Sequence, residues 1–318
     1  FSQDRLNPTF PRTASYSLGQ RFWPTYSIGT RLEKLAKFDM AYIYGSVDDH
    51  GMTKAKRLRQ LNPDQVLIAM GLNGLFFSDP PEYYLYRSYR GHLTENVQPG
   101  QRTLAVDNIE GIKDGLYDYR FCYVVINGDV IDVQYTAGDT LVTSGDPNDF
   151  FAVNQTHSAG DSVLSILRLA GPGIFPNFSE WSRPVDGKYL WDYLAEKNLL
   201  NKIDWTQGIW DGLFHDAFYA NVYLNEATMD MDLNGVNDYE EMGSTPDKAA
   251  QYSINPHRRV YIGKWLDSEN VLMDQQAPNS PNMLGVNAGG TCEYFYDQMN
   301  GHCYDCLLYT SPSPRDPH

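Results

Sequence analysis

Phe38-Asp-Met-Ala-Tyr-Ile-Tyr-Gly45 and Val66-Leu-Ile-Ala-Met-Gly71 frame the stretch that decides the fold. Each is short, largely apolar and closed by glycine, which reads as a strand buried on both faces. Residues 53–61, between them, have helical character with basic residues on one side, and Asn62-Pro-Asp64 marks a turn. Strand, helix, strand at this spacing is a βα unit, which feeds a parallel sheet.

Outward from that unit, residues 1–37 are polar and contain proline, and end in a short helical stretch. From residue 91 to residue 161 the texture changes to short alternating segments, at 102–106, 121–126, 130–135 and 140–143. Asn127-Gly128 is a strong hairpin turn, so this region reads as an antiparallel β module. A βα pattern resumes at 162–169, and 188–200 reads as a helix. Three more strands are expected, at Trp210-Asp-Gly-Leu-Phe-His-Asp216, Asn282-Met-Leu-Gly-Val-Asn287 and residues 298–305. The expected class is α/β, an incomplete TIM (β/α)8 barrel of about six strands with a small antiparallel insertion after strand two. The expected divisions are 1–90 (strands one and two), 91–161 (the inserted module), 162–305 (strands three to six) and 306–318 (a tail). The 318 residues exceed the roughly 250 such a barrel needs.

The net charge of −15 argues against nucleic acid, because phosphate binding needs a basic face. No apolar run is long enough to span a membrane, so no membrane insertion is expected. Cys122, Cys292 and Cys303 show no framework spacing and HExxH is absent, so a zinc site is not expected. Tyrosine and tryptophan number 23 and 6, enough to supply either sugar-stacking rings or core. The chain opens at Phe1 with no signal-peptide pattern, so either a leader was removed or the start is missing; the compartment is open, with an extracellular or virion-associated setting favoured.

The tail Cys306-Leu-Leu-Tyr-Thr-Ser-Pro-Ser-Pro-Arg-Asp316 back-translates into, and so resembles, the adapter of a transposon-based sequencing library. Natural sequence is then expected to stop near Asp305, with two barrel strands lying beyond. The adapter would supply the last base of codon 305, which leaves Asp or Glu as the parent residue there.

The order of the short motifs resembles the glycoside-hydrolase-like barrels of bacterial and viral genomes. The Phe38-Asp39 strand, the Asn62-Pro63 turn and Gly187-Lys-Tyr-Leu-Trp-Asp-Tyr-Leu194 carry the first part of the resemblance. The strongest piece is Trp210-Asp-Gly-Leu-Phe-His-Asp216, similar to that family's WDG(I/V)F-x-D segment. Met231-Asp-Leu-Asn-Gly-Val-Asn-Asp238, Gly285-Val-Asn287 and Asn300-Gly-His-Cys-Tyr-Asp305 follow in order. Two departures stand out: His215-Asp216-Ala217 replaces a more usual Asp-Asn pairing, and Asp305 stands where Glu is expected. The module at 91–161 is similar to a β segment of phage tail-associated proteins, through Tyr123-Val-Val-Ile-Asn-Gly-Asp-Val-Ile-Asp-Val133 and Thr156-His-Ser-Ala-Gly-Asp-Ser-Val163. The alternative is a decorative loop between barrel elements.

The resemblance implies a hydrolase that cleaves glycosidic bonds of a polysaccharide or oligosaccharide. Such cleavage needs two carboxyl groups flanking the bond. Asp216 and Asp305 are expected at the C-terminal ends of strands four and six, the rim where barrel sites lie. There the carboxyls could stand about 5–9 Å apart, Asp216 as nucleophile or base and Asp305 as acid. A helix-capping carboxylate is the alternative for Asp216, and Asp211 and Asp39 read as structural. His215 alternates with Asp216 and is expected to face the other way. It is a candidate substrate contact or a core histidine. Tyr44 and Asn287 are candidate substrate contacts, with packing or loop bonding as the alternative. The competing functions are a non-catalytic carbohydrate-binding barrel and a phage structural or adhesion protein built on the same scaffold.

Asp230-Met-Asp-Leu-Asn-Gly-Val-Asn-Asp-Tyr-Glu-Glu241 fits the D-x-[DN]-x-[DN]-G-x5-E pattern. Oxygen ligands at these positions, with glycine at the sharp turn, suit Ca²⁺. The candidate ligands are Asp230, Asp232, Asn234, the Val236 carbonyl, Asp238 through water, and Glu241. Asn237 stands where an apolar residue is usual, and an Asx-rich turn is the alternative. A calcium ion here would be structural, and no organic cofactor is expected.

Overall fold

The computed structural model describes residues 14–16, 28–44, 51–72, 74–76, 78–109, 122–143, 151–167, 174–218, 229–241, 248–288, 295, 298–299 and 301–303. Asp305 and the adapter-like tail lie outside the described residues. The chain divides into two compact units. The first comprises Phe1–Asn73, Trp191–Asn221 and Arg259–His318, and the second Gly74–Leu190 and Val222–Arg258.

The described elements begin with β1 (Ala14–Tyr16), α1 (Ile28–Leu35), β2 (Met40–Tyr44), α2 (Gly51–Leu61) and β3 (Val66–Leu72). Then come β4 (Tyr86–His92), β5 (Thr103–Ala105), β6 (Cys122–Ile126), β7 (Asp129–Ala137), β8 (Thr140–Thr143) and β9 (Ser162–Ile166). After α3 (Leu190–Glu196) and a π-helical turn (Lys197–Lys202) follow β10 (Gly212–Phe218), β11 (Met229–Asp230) and α4 (Asp238–Glu241). The long helix α5 (Lys248–Gln276), β12 (Met283–Ala288) and β13 (Gly301–Cys303) complete the order.

In the first unit, six strands lie parallel in the order β1-β2-β3-β10-β12-β13. Parallel strands covered on both faces read as continuous apolar runs, and Val66, Leu67, Ile68, Ala69 and Met70 are all buried. Alternation splits them between two faces. Val66, Ile68 and Met70 cluster with Phe214, against Met40, Tyr42 and Met283. Tyr42 meets Phe214 edge-on, with ring centroids 4.9 Å apart. A Cβ at Gly212 would come within 2.6 Å of the Met283 carbonyl oxygen, so only glycine permits β10 to lie this close to β12. At the start of β10, the Asp211 carboxylate accepts bonds from the Leu67 amide (2.9 Å) and from the Arg59 guanidinium (2.7 Å), which ties that end to β3.

In the second unit, seven strands lie in the order β11-β4-β9-β6-β7-β8-β5, and every pairing is antiparallel. Asn127 and Gly128, at φ 49° and 85°, make the left-handed turn that joins β6 to β7. The core gathers Val97, Leu104, Val124, Ile131, Leu141 and Val163, among others.

The expectation of an incomplete TIM barrel is overturned. The fold is mixed α/β and rich in β-structure, with an antiparallel sheet larger than the parallel one. A barrel needs each crossover to return to one closing parallel sheet. Here the chain leaves β3 and forms six of the seven antiparallel strands, β4 to β9, before it rejoins the parallel sheet at β10. Among the described residues, β1 and β13 remain at opposite edges of the parallel sheet rather than paired. The segment expected as the third barrel strand is β9, which pairs antiparallel with β4 and β6 and buries Val163 in the antiparallel core. Among the described residues, no helix is long and apolar enough to cross a membrane.

Candidate functional site

Parallel strands bring their C-terminal ends to one edge, and ligands of open α/β sheets bind there. Tyr44 ends β2 and stands opposite Met70 of β3. Asp216, near the end of β10, stands opposite Leu72 of β3. Asn287, near the end of β12, stands opposite Cys303, the last residue of β13. Three candidate residues therefore share one edge, on strands β2, β10 and β12. The structure describes only the backbone at Tyr44, Asp216 and Asn287, and Asp305 follows β13 outside the described residues.

His215 stands opposite Gly71 and Val286, within the sheet. Its side chain is fully buried, and Nε2 lies 2.6 Å from Oε2 of the equally buried Glu269 on α5. The second Glu269 oxygen accepts a bond from Asn198 Nδ2 at 3.0 Å. Trp265, one turn before Glu269, packs its ring 4.5 Å from the imidazole. Sequence reasoning missed Glu269, Asn198 and Trp265. They lie 54, 17 and 50 residues from His215 along the chain, and a polar residue in a helix signals nothing about its partner.

The acidic loop belongs to the second unit. Pairing of β11 with β4 fixes Asp230, and Asp238 opens α4, where its carboxylate accepts the Met231 amide at 2.8 Å. Asp230 accepts the Asn234 and Gly235 amides at 3.1 and 2.9 Å. Asp232 also accepts the Asn234 amide (3.0 Å), and Asn234 Oδ1 accepts that of Val236 (2.7 Å). The turn needs Gly235 at φ 89°. The Asn234 amide group donates to Asp232 at 2.9 Å and to Glu241 at 2.6 Å. Ligand oxygens of Asp230, Asp232 and Asp238 lie within 4.8 Å of one another.

Five of the candidate ligands are thus drawn together by side-chain or backbone bonds, and Val236 lies exposed in the same loop. Arg90 reaches Asp230 at 3.3 Å and also bonds the Leu233 carbonyl. Burial pushes the Asp230 carboxyl above its usual range. Burial, with Asp230, Asp232 and Glu241 nearby, pushes Asp238 up to about 7. Carboxylates crowded in this way are an all-oxygen donor set that fits a hard divalent cation. No known protein-family model matches the chain, and no curated protein matches it.

Proposed function

We propose that the protein is a glycoside hydrolase acting on a polysaccharide, with its site at the C-terminal edge of the parallel sheet. One observation carries this reading: the backbones of Tyr44, Asp216 and Asn287 lie at the C-terminal ends of β2, β10 and β12, and in the sequence Asp305 follows the last residue of β13 by two. Strands β10 and β13 are separated by β12 alone. Their backbones are thus about 10 Å apart at the usual strand spacing. Glycosidic cleavage requires two carboxyl groups flanking the bond. Asp305 donates a proton to the leaving oxygen, and Asp216 attacks the anomeric carbon or activates a water against it. Tyr44 and Asn287 contact the sugar. The motif order around Trp210–Asp216 supports the same assignment.

Asp230, Asp232, Asn234, Val236, Asp238 and Glu241 hold a calcium ion in this reading. The bound ion supplies positive charge to the crowded carboxylates and keeps the loop in shape. The test is sugar release from a polysaccharide panel by the wild-type protein and by Asp216→Asn. The expected outcome is release by the wild type and at least a hundredfold loss in a still-folded variant. Glycan binding without any release by the wild type would refute cleavage and point to a carbohydrate-binding or adhesion protein.

A further inference from the structure

A fully buried polar group of the parallel unit lies not at the sheet edge but one residue before it. His215 and Glu269 have no exposed surface, and Asn198 has 1%. Three separate elements, β10, α5 and the π-helical turn, converge on this one contact. The π turn is marked by the Ile203 amide bonding the Asn198 carbonyl at 3.1 Å, five residues back. Such wide turns are uncommon and are often found at functional sites. Here the wide turn carries the residue whose amide group meets Glu269. Opposite the ring lies Gly71, where an added Cβ would stand in ordinary contact with Nδ1, at 3.5 Å.

An ionised carboxylate can only accept hydrogen bonds. With Asn198 Nδ2 on one oxygen and His215 Nε2 on the other, both Glu269 oxygens have a donor when the imidazole proton is on Nε2. Apolar side chains of the same volume would stabilise such a site at least as well. What a buried carboxylate with a donor on each oxygen adds is one fixed geometry. The residue whose backbone it fixes directly precedes Asp216.

We propose that Glu269 and Asn198 are positioning residues for Asp216: they hold His215 with its proton on Nε2 and clamp the end of β10 to α5. The catalytic meaning of the clamp rests on the hydrolase reading, whereas the clamp itself does not. The test uses the full chain with ¹⁵N-labelled histidine, whose seven imidazoles are resolved by tautomer-sensitive NMR. His215 is identified by its contact with the Trp265 indole.

The wild type is expected to show a protected, low-field Nε2 proton on His215. In Glu269→Gln that proton is expected to exchange with water at least tenfold faster, as are the amides of β10. Asn198→Ala is expected to shift both in the same direction by less, and it decides the matter if Glu269→Gln does not fold. On a cleaved glycan, Glu269→Gln should lower kcat at least tenfold with KM within twofold. A wild-type His215 protonated only on Nδ1 would overturn the proposal. So would β10 exchange that both variants leave unchanged, or a folded Glu269→Gln with wild-type kcat. A wild type that cleaves nothing but shows the protected Nε2 proton and the expected exchange would refute the hydrolase reading and leave the clamp standing.

Discussion

Carboxylates are gathered in both units, under opposite conditions. In the parallel unit, Glu269 is fully buried, but each of its oxygens meets a side-chain nitrogen, from His215 or Asn198. In the antiparallel unit, Asp230, Asp232 and Asp238 press against one another, with Arg90 on Asp230 as a counter-charge. The difference shows two ways of keeping an acid inside a fold. Glu269 is satisfied by donors already present, so its geometry is set by the chain. Asp230 and Asp238 accept amide donors, yet burial and the neighbouring acids push both carboxyls up, so the charge of the loop depends on pH.

The largest effect should come from breaking the satisfied group. Glu269→Ala leaves a buried imidazole and a buried amide without their acceptor, and is expected to cost about 3–5 kcal/mol. Denaturant unfolding would measure this, and a cost below about 1 kcal/mol would mean that the contact holds nothing in place.

A middle effect belongs to Asp238. Its folded carboxyl lies above the ordinary value of 3.8, at about 7. A raised folded value favours the protonated native form. That contribution is fully present below about pH 4 and is lost as pH rises through 7. In chelator, stability should therefore fall between these values, and Asp238→Asn should remove the slope. At pH 8 the variant should be more stable than the wild type by about 1–2 kcal/mol, after allowance for the loop's partial exposure. Calcium should reverse the order, stabilising the wild type and not the variant. Thermal melts across pH, with calcium and with chelator, would read both. A wild-type profile that stays flat in chelator would contradict the account of crowding.

The smallest effect is expected at Arg90. Arg90→Gln removes a partly exposed counter-charge, at a cost of about 0.5–1 kcal/mol in chelator. Saturating calcium should erase that cost. An equal loss with and without the ion would show that Arg90 acts by packing alone.

Local features were legible because local chemistry makes them. Residues 66–70 announced themselves as a run of apolar residues, Asn127-Gly128 as a left-handed turn, and Asp230 to Glu241 as a spaced set of acidic and amide side chains around a glycine turn. Partnership between distant segments was not. The alternation of β9 is the same whether it joins a parallel or an antiparallel sheet, and assigning it to the wrong one produced the barrel expectation. Ala14–Tyr16 is three residues long and carries no apolar run, so nothing marked it as a strand of the parallel sheet. At the sheet edge, Asp216 was legible through its strand. Its neighbour's attachment to Glu269 was hidden in a helix whose polar residues look alike in sequence.

The interruption of the parallel sheet also has a cost in time. Strand β3 pairs with β10, and Ile68 faces Gly212, which lies 144 residues further along the chain. A ribosome adding about 5–20 residues per second needs roughly 7–30 seconds to supply the partner. During that interval the growing chain offers the edge of β3, apolar on both faces, to any other unpaired strand. Most of the antiparallel unit, Gly74–Leu190, emerges within the same interval and finds its own partners meanwhile. Faster elongation or a holding chaperone should therefore raise the yield of native protein chiefly through the parallel unit, which is the last to be completed.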